Sequence, residues 1–174
     1  KGELADFARA VSPVLTDIFE LYLENKCGIN IQNCYVLNGS RGMETYKLSR
    51  SLLPDDLLQV LDNVYSNNGG YIDTEPCAAN LSPLVIAKAL EMGDLKAAQI
   101  AEDLRKFEKN VRNIAAHQIV TVTEKWIKER TGFNLAEVFR MLQDFISICI
   151  QIPKDAWDSY DKLNEAIINS FKLK

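Results

Sequence analysis

The sequence has one histidine, no closely spaced cysteine pair and no long apolar run. His117 is the only histidine among 174 residues, and the cysteines stand at positions 27, 34, 77 and 149. A structural zinc site needs four Cys or His ligands, usually with two at short spacing, so we predict no metal site, and we expect no cofactor. Scattered cysteines in a chain of this size are typical of reduced thiols in the cytoplasm. No stretch approaches the roughly 20 apolar residues of a membrane-spanning helix, so no membrane contact is expected.

The chain begins Lys1-Gly2-Glu3-Leu4, without an initiator methionine or the pattern of a signal peptide. Its length and its 47% content of apolar residues suit one globular domain with a sizeable core. We therefore treat residues 1–174 as a single domain, and we expect that it was cut from a longer chain with a second domain outside this sequence.

Cationic residues are concentrated in one segment of an otherwise acidic chain. The net charge is −4, yet residues 105–130 include seven cationic and three acidic side chains, a net +4 that leaves −8 for the rest. Three lysines of this segment, Lys106, Lys109 and Lys125, are candidate contacts to the phosphates of a short single strand. A solvated helix face with paired charges explains the same pattern.

Helical periodicity dominates the distribution of apolar residues. Apolar spacing, N-cap residues and breaks at proline or glycine predict helices over residues 3–23, 54–66, 82–92, 95–130, 134–151 and 155–171. Residues 27–51 have weaker periodicity and two turn signals, Asn38-Gly39 and Arg41-Gly42, so a small hairpin and an irregular insertion fit equally well. We predict an all-α fold, an antiparallel helical bundle with one such insertion around residues 27–51.

The hexad Arg112-Asn113-Ile114-Ala115-Ala116-His117 combines a proton shuttle with a phosphate ligand. Cleavage of RNA by its own 2′-hydroxyl needs two proton transfers and stabilisation of a charged phosphorane. Arg112 is the candidate for the charge, His117 for the proton transfers, and Asn113 for orienting His117 or contacting the ribose. This chemistry requires no divalent ion and leaves a 2′,3′-cyclic phosphate. An arginine and a histidine that make only surface hydrogen bonds are the alternative.

The spacing of Arg112 and His117 within the hexad indicates how many copies of the chain form the site. In a continuous α-helix Asn113 and His117 point within about 40° of each other, whereas Arg112 and His117 differ by about 140°. One helix therefore does not direct Arg112 and His117 at the same phosphate. Two copies of the helix that meet at a two-fold axis could direct these residues, from both chains, at one phosphate. Ala115 and Ala116 are small enough for a close approach of the helices, so we predict a symmetric homodimer.

Arg112-Asn113, followed by three residues and His117, resembles the R-x(4–6)-H motif of HEPN ribonucleases. The amino-acid sequence of the hexad most closely resembles that of the accessory ribonucleases of type III-A CRISPR systems. Residues 6–19 and 160–165 are also similar to that group, so the likeness spans most of the chain.

The resemblance implies a dimeric, metal-independent endoribonuclease that cleaves single-stranded RNA in antiviral defence, with Arg112, Asn113 and His117 as its site residues. In that family an N-terminal CARF domain binds cyclic oligoadenylate and activates the nuclease. No strand–helix alternation of that kind precedes the helices here, so we expect the sensor to lie outside this chain. Two other functions stay open: a toxin-type HEPN ribonuclease controlled by an antitoxin partner, and a non-catalytic helical dimerisation module.

Overall fold

Helices make up most of the structure, with one short β-hairpin near the start. The computed structural model describes residues 2–38, 45–66, 75–112, 114–115, 122–153, 155–159, 161–163 and 165. The longer helices in these ranges are α1 (Gly2–Cys27), α2 (Asp55–Tyr65), α3 (Ala78–Glu91), α4 (Leu95–Phe107), α5 (Glu124–Thr131) and α6 (Leu135–Cys149). The predicted all-α class is confirmed.

Helix α1 is the element around which the others pack. Its apolar side chains recur at helical spacing and bury one face, which comprises Ala8, Val11, Leu15, Ile18, Phe19, Tyr22 and Leu23. The helix contacts α3, α6 and the turn that follows α4. The rings of Phe19 and Tyr22 lie against Phe145 of α6, with centroids 5.6 and 5.5 Å apart. These aromatic contacts join the first and last long helices of the described chain.

The insertion around residues 27–51 is a hairpin, one of the two predicted alternatives. A 3-10 turn (Ile31–Cys34) leads into β1 (Tyr35–Asn38), which pairs antiparallel with β2 (Thr45–Leu48). Ile31, Cys34 and Leu48 are buried, whereas Val36, Leu37 and Tyr46 are exposed. One side of the hairpin region therefore packs on the helical core, and the other is open to solvent.

Helix α3 begins at Ala78, four residues before the predicted start at Ser82-Pro83. Its N-cap is Cys77, and Pro83 lies inside the helix, where it removes one backbone donor. Proline at the first position of a helix is common, which is why the sequence favoured the later start.

Tertiary contacts explain the earlier start of α3. The side chain of Asn80 is buried, accepts a hydrogen bond from the Tyr65 hydroxyl, and donates to the Glu75 carbonyl at 2.7 Å. Ala78 and Leu81 are fully buried beside it. These contacts hold the first turn in place, and they offset the hydrogen bond that Pro83 cannot donate.

The predicted continuous helix over residues 95–130 is wrong. Helix α4 ends at Phe107, and Glu108–Arg112 forms a π-helical turn. Val122 and Thr123 are not helical, and the Thr123 hydroxyl caps α5 by accepting a hydrogen bond from the Trp126 amide at 3.2 Å. The β-branched residues from 119 to 123 have low helix propensity, and a threonine hydroxyl satisfies the free amides of a new helix start.

The other helix boundaries follow local sequence signals. Asp94 caps α4 directly after Gly93, whose φ is 74°. Gly132 ends α5 in the left-handed conformation, with a φ of 87°. Asn134 and Glu137 form a capping box at the start of α6. Each of these signals lies within a few residues of the boundary that it sets.

The chain after α6 contains a short 3-10 helix, Ala156–Asp158. In the predicted helix over residues 155–171, residues 159, 161–163 and 165 are helical, and residues 160, 164 and 166–171 lie outside the described residues. Helix α6 itself ends at Cys149, because Ile150 has an extended backbone with a φ of −137°.

One cluster of buried apolar side chains receives contributions from all six long helices. Within the described ranges, no helix combines the length and the apolar character that crossing a membrane requires.

Removal of the Phe145 side chain should strongly destabilise the fold, because the ring is fully buried between Phe19 and Tyr22. We expect Phe145→Ala to lower the free energy of unfolding by about 3–5 kcal/mol in urea denaturation. The matched control is Phe139→Ala on the same helix, where the side chain is 46% exposed and the loss should be clearly smaller. Equal losses in the two variants would contradict the placement of this core.

Candidate active site

The π-helical turn Glu108–Arg112 leads from α4 into the Arg112–His117 hexad. Hydrogen bonds in such a turn run from residue i to i+5, so the turn holds one more residue than an α-helical turn. One extra residue in a helical turn changes the direction of the positions after it by about 100° relative to an uninterrupted α-helix, and Ile114 and Ala115 are the described residues at such positions. The predicted angle of about 140° between Arg112 and His117 depends on residues 113–117 and stays a prediction, because residues 113, 116 and 117 lie outside the described residues.

The first residue of the turn, Glu108, is a buried carboxylate held from two directions. Its side chain accepts a hydrogen bond from Ser12 of α1, with an Oγ to Oε1 distance of 2.8 Å. Its other oxygen forms an ion pair with the Arg105 guanidinium of α4. Only 4% of Glu108 is exposed. An unpaired charge at such a position would be costly, so these two partners fix the turn against α1 and α4.

Arg112 is the last residue of the turn and is half-buried. Val111 directly before it is fully buried, and Ala115 is also buried. The other two predicted catalytic residues, Asn113 and His117, lie outside the described residues. Arg112, the first residue of the hexad, therefore follows a turn that the buried residues Glu108 and Val111 attach to the core.

The three predicted RNA-binding lysines lie on adjoining elements. Lys106 and Lys109 are exposed, at the end of α4 and within the π-helical turn. Lys106 Nζ lies 5.4 Å from the centroid of the Phe133 ring. Lys125 is exposed on α5, which contacts the turn, and its Nζ is 3.8 Å from a carboxylate oxygen of Glu129. Lys106 and Lys109 are therefore next to the hexad in the chain, and Lys125 is on the neighbouring helix.

A cation and an aromatic ring also meet on α5. The guanidinium carbon of Arg130 lies 4.6 Å from the centroid of the Trp126 ring. A partly exposed indole beside a guanidinium suits the stacking of a nucleobase, because both groups present flat faces. Helix α5 thus offers aromatic and cationic groups on an element that contacts the turn.

Ser12 and Glu108 are the site residues that sequence reasoning missed. The spacing of Arg105 and Glu108, three residues apart, is a readable sign of a helical ion pair. Ser12 is 96 positions away from Glu108, and nothing in the local pattern links them. In the sequence, Glu108 is only one of three acids in the basic segment of residues 105–130.

Three of the four cysteines, Cys27, Cys34 and Cys149, are poorly suited to act as nucleophiles. Burial raises the pKa of the Cys149 thiol to about 12, and burial also raises the pKa of Cys27 and of Cys34. Thiols with raised pKa values are protonated near neutral pH and react slowly. In the part of the chain that the structure describes, no three His, Cys, Asp or Glu side chains group as a metal site would.

Comparison with known families gives one match over nearly the whole chain. The sequence model of the Cas_Csm6 HEPN domain matches residues 1–168, a range that includes the π-helical turn and the hexad. A search of curated proteins finds no match.

Loss of the Ser12 hydroxyl should weaken the fold, because Glu108 would lose its hydrogen bond from α1. We expect Ser12→Ala to lower the free energy of unfolding by about 1.5–3 kcal/mol. Glu108→Ala should cost about 3 kcal/mol or more, and the double variant should lose less than the sum of the two.

The control is Ser147→Ala on α6, whose hydroxyl is exposed and bonds only to the Gln143 carbonyl of its own helix. Urea denaturation of all four variants makes the comparison. Equal effects of Ser12→Ala and Ser147→Ala, or strict additivity in the double variant, would contradict a network at Glu108.

Proposed function

This chain belongs to the Csm6 HEPN family of CRISPR-associated ribonucleases, and from that membership we propose that it cleaves single-stranded RNA without a metal ion. The observation that carries the proposal is the family match over residues 1–168, which includes Arg112 and the only histidine of the chain. Arg112, Asn113 and His117 are the proposed catalytic residues.

The proposed reaction is an internal transesterification. A 2′-oxygen loses its proton and attacks the adjacent phosphorus, while the bond from phosphorus to the 5′-oxygen breaks and that oxygen gains a proton. His117 accounts for proton transfer at one of these oxygens, and Arg112 stabilises the negative charge of the phosphorane. Asn113 orients His117 or contacts the ribose. The products are a 2′,3′-cyclic phosphate and a free 5′-hydroxyl.

The position of Arg112 supports this role. A catalytic group acts efficiently when its own position is fixed before the substrate binds. Arg112 ends a turn that is held by the buried Glu108 and Val111, so its backbone is tied to the core while its side chain is half-buried. π-Helical turns are rare and are found frequently at functional sites.

We propose that the working site is formed by two copies of the chain. The reaction needs two proton transfers, and each chain has a single histidine. A second copy related by a two-fold axis would supply another His117 and another Arg112 to the same cleft. In that arrangement the two histidines divide the roles of base and acid.

The RNA strand would run across the exposed cations around the turn. Lys106 and Lys109 flank the start of the hexad, and the Trp126–Arg130 pair offers a stacking surface on the adjoining helix α5. Lys125 contributes less to binding of the RNA phosphates, because the Glu129 carboxylate lies 3.8 Å from its ammonium group and partly neutralises its charge. Contacts of this kind bind a backbone without reading its sequence.

The family membership also supports a proposal for regulation. We place control of the nuclease in a CARF domain outside these 174 residues, which binds cyclic oligoadenylate and adjusts the dimer. The cytoplasm, where the foreign RNA of an infected cell is found, is the proposed place of action.

The test is cleavage of end-labelled single-stranded RNA in the presence of EDTA. We expect a cyclic phosphate end, and a rate that falls by about 100-fold or more in His117→Ala, because proton transfer is lost. Arg112→Lys should also be strongly impaired, since lysine keeps the charge but lacks the planar fork. Arg140→Ala, on the exposed face of α6, is the control and should cleave normally.

Mixing experiments test the two-copy site. When an excess of His117→Ala chain is mixed with the unaltered chain, activity should fall more steeply than simple dilution predicts, because mixed dimers have one histidine. Activity proportional to the unaltered chain, or a monomer at micromolar concentration that is still active, would contradict the composite site. Cleavage unchanged by His117→Ala would contradict the mechanism itself.

A further inference from the structure

A cavity of about 460 Å³ lies between α1 and the hairpin region, away from the hexad in the sequence. Its volume is within the range of small-ligand pockets in proteins. It is lined by Thr16, Glu20, Gln32, Tyr35, Tyr46 and Pro76. The lining therefore combines one carboxylate, one amide and two phenol rings.

The Glu20 carboxylate is held in a fixed position by the hairpin region. Tyr35 Oη donates to its Oε1 at 2.5 Å, and Gln32 Nε2 donates to its Oε2 at 2.9 Å. Burial and the neighbouring Glu20 raise the pKa of the Tyr35 hydroxyl, which therefore stays a donor. In the part of the chain that the structure describes, no lysine or arginine forms an ion pair with Glu20. Each carboxylate oxygen can accept a further hydrogen bond, so the group is oriented but keeps acceptor capacity.

These groups suit a flat ligand with two neighbouring donors on one edge. Among the RNA bases, guanine presents such an edge, formed by N1–H and the N2 amino group. A carboxylate accepts both hydrogen bonds in parallel, and an aromatic ring stacks on the face of the base. The Tyr46 side chain, which is 55% exposed, is available for that stacking. The carboxylate repels phosphates, so a base edge fits the cavity better than the RNA backbone does.

The cavity lies on the same face of α1 as the anchor of the π-helical turn. Ser12, Thr16 and Glu20 are spaced four residues apart, and the Thr16 hydroxyl donates to the Ser12 carbonyl at 3.1 Å. Ser12 in turn holds Glu108. Eight residues of α-helix separate Ser12 from Glu20 by about 12 Å. The cavity and the turn that ends at Arg112 are therefore both joined to α1, the cavity at Glu20 and the turn at Ser12.

We propose that this cavity binds a guanine of the substrate strand and that Glu20 reads its Watson–Crick edge. This proposal rests on the proposed ribonuclease function, because it states which base of the RNA substrate that ribonuclease selects. Cleavage should consequently fall at a fixed offset from a guanosine.

The first test measures binding without cleavage. A short oligouridine with one guanosine, 2′-O-methylated throughout so that it has no nucleophile, is compared by fluorescence anisotropy with the same strand containing inosine. Inosine lacks the N2 amino group, so the chain should bind the guanosine strand about tenfold more tightly. Glu20→Gln should remove this preference. The ratio of the two affinities is the readout, because loss of a negative charge by itself strengthens binding to any RNA.

Two further variants keep the test decisive. Glu24→Gln changes an exposed glutamate one turn further along α1 and should keep the guanosine preference. Tyr46→Ala, at an exposed position that does not endanger the fold, should weaken binding of both strands by removing the stacking surface. Circular dichroism confirms that each variant is folded.

Equal binding of the guanosine and inosine strands by the unaltered chain would overturn the proposal. A preference that survives Glu20→Gln, or binding of both strands that is unchanged in Tyr46→Ala, would also overturn it. Failure of the underlying function is distinguishable, because it appears as RNA cleavage that is absent or independent of His117. Cleavage that depends on His117 but occurs at no fixed offset from guanosine refutes the guanine site alone.

Discussion

The buried carboxylate of Glu108 is the contact on which the position of the candidate active site depends. It links Ser12 of α1 and Arg105 of α4 at the start of the π-helical turn, and Arg112 stands at the end of that turn. A buried charge is strongly destabilising unless its partners are in place, so the three side chains constrain one another. The backbone that carries Arg112 is therefore set by a contact with a helix that is distant in the chain.

The fold could be predicted from the sequence wherever the signal was local. Asp94 and the Asn134–Glu137 pair set helix starts through their own side chains, and the hairpin was one of two stated alternatives. The start of α3 could not be predicted, because Asn80 is held by Tyr65 and by the Glu75 carbonyl. Such contacts depend on tertiary packing, which overrides the local preference of proline for a helix start.

For the candidate site, the chemical class could be predicted from the sequence, whereas the assignment of Arg112, Asn113 and His117 stays a prediction. The hexad stands out because the chain has one histidine, and the family match supports the ribonuclease class to which it points. The π-helical turn was not predictable, since apolar spacing cannot show one extra residue in a turn. Glu108 was hidden for another reason. Glu108 is one of ten charged residues in the basic segment, and the sequence does not show that it is the buried one. Its partner Ser12 is 96 positions away in the chain.

The central position of α1 has a consequence for how the chain folds during synthesis. Its contacts span long sequence distances: Ser12 meets Glu108, and the Cys149 thiol lies 3.7 Å from the Ile18 carbonyl, 131 positions away. The apolar face of α1 is therefore fully covered only after α6, which lies much later in the chain, has been synthesised. Long-range contacts of this kind slow folding, and nascent chains with uncovered apolar faces are prone to aggregate. The long-range contacts that anchor Arg112 thus leave the apolar face of α1 uncovered while the rest of the chain is being synthesised.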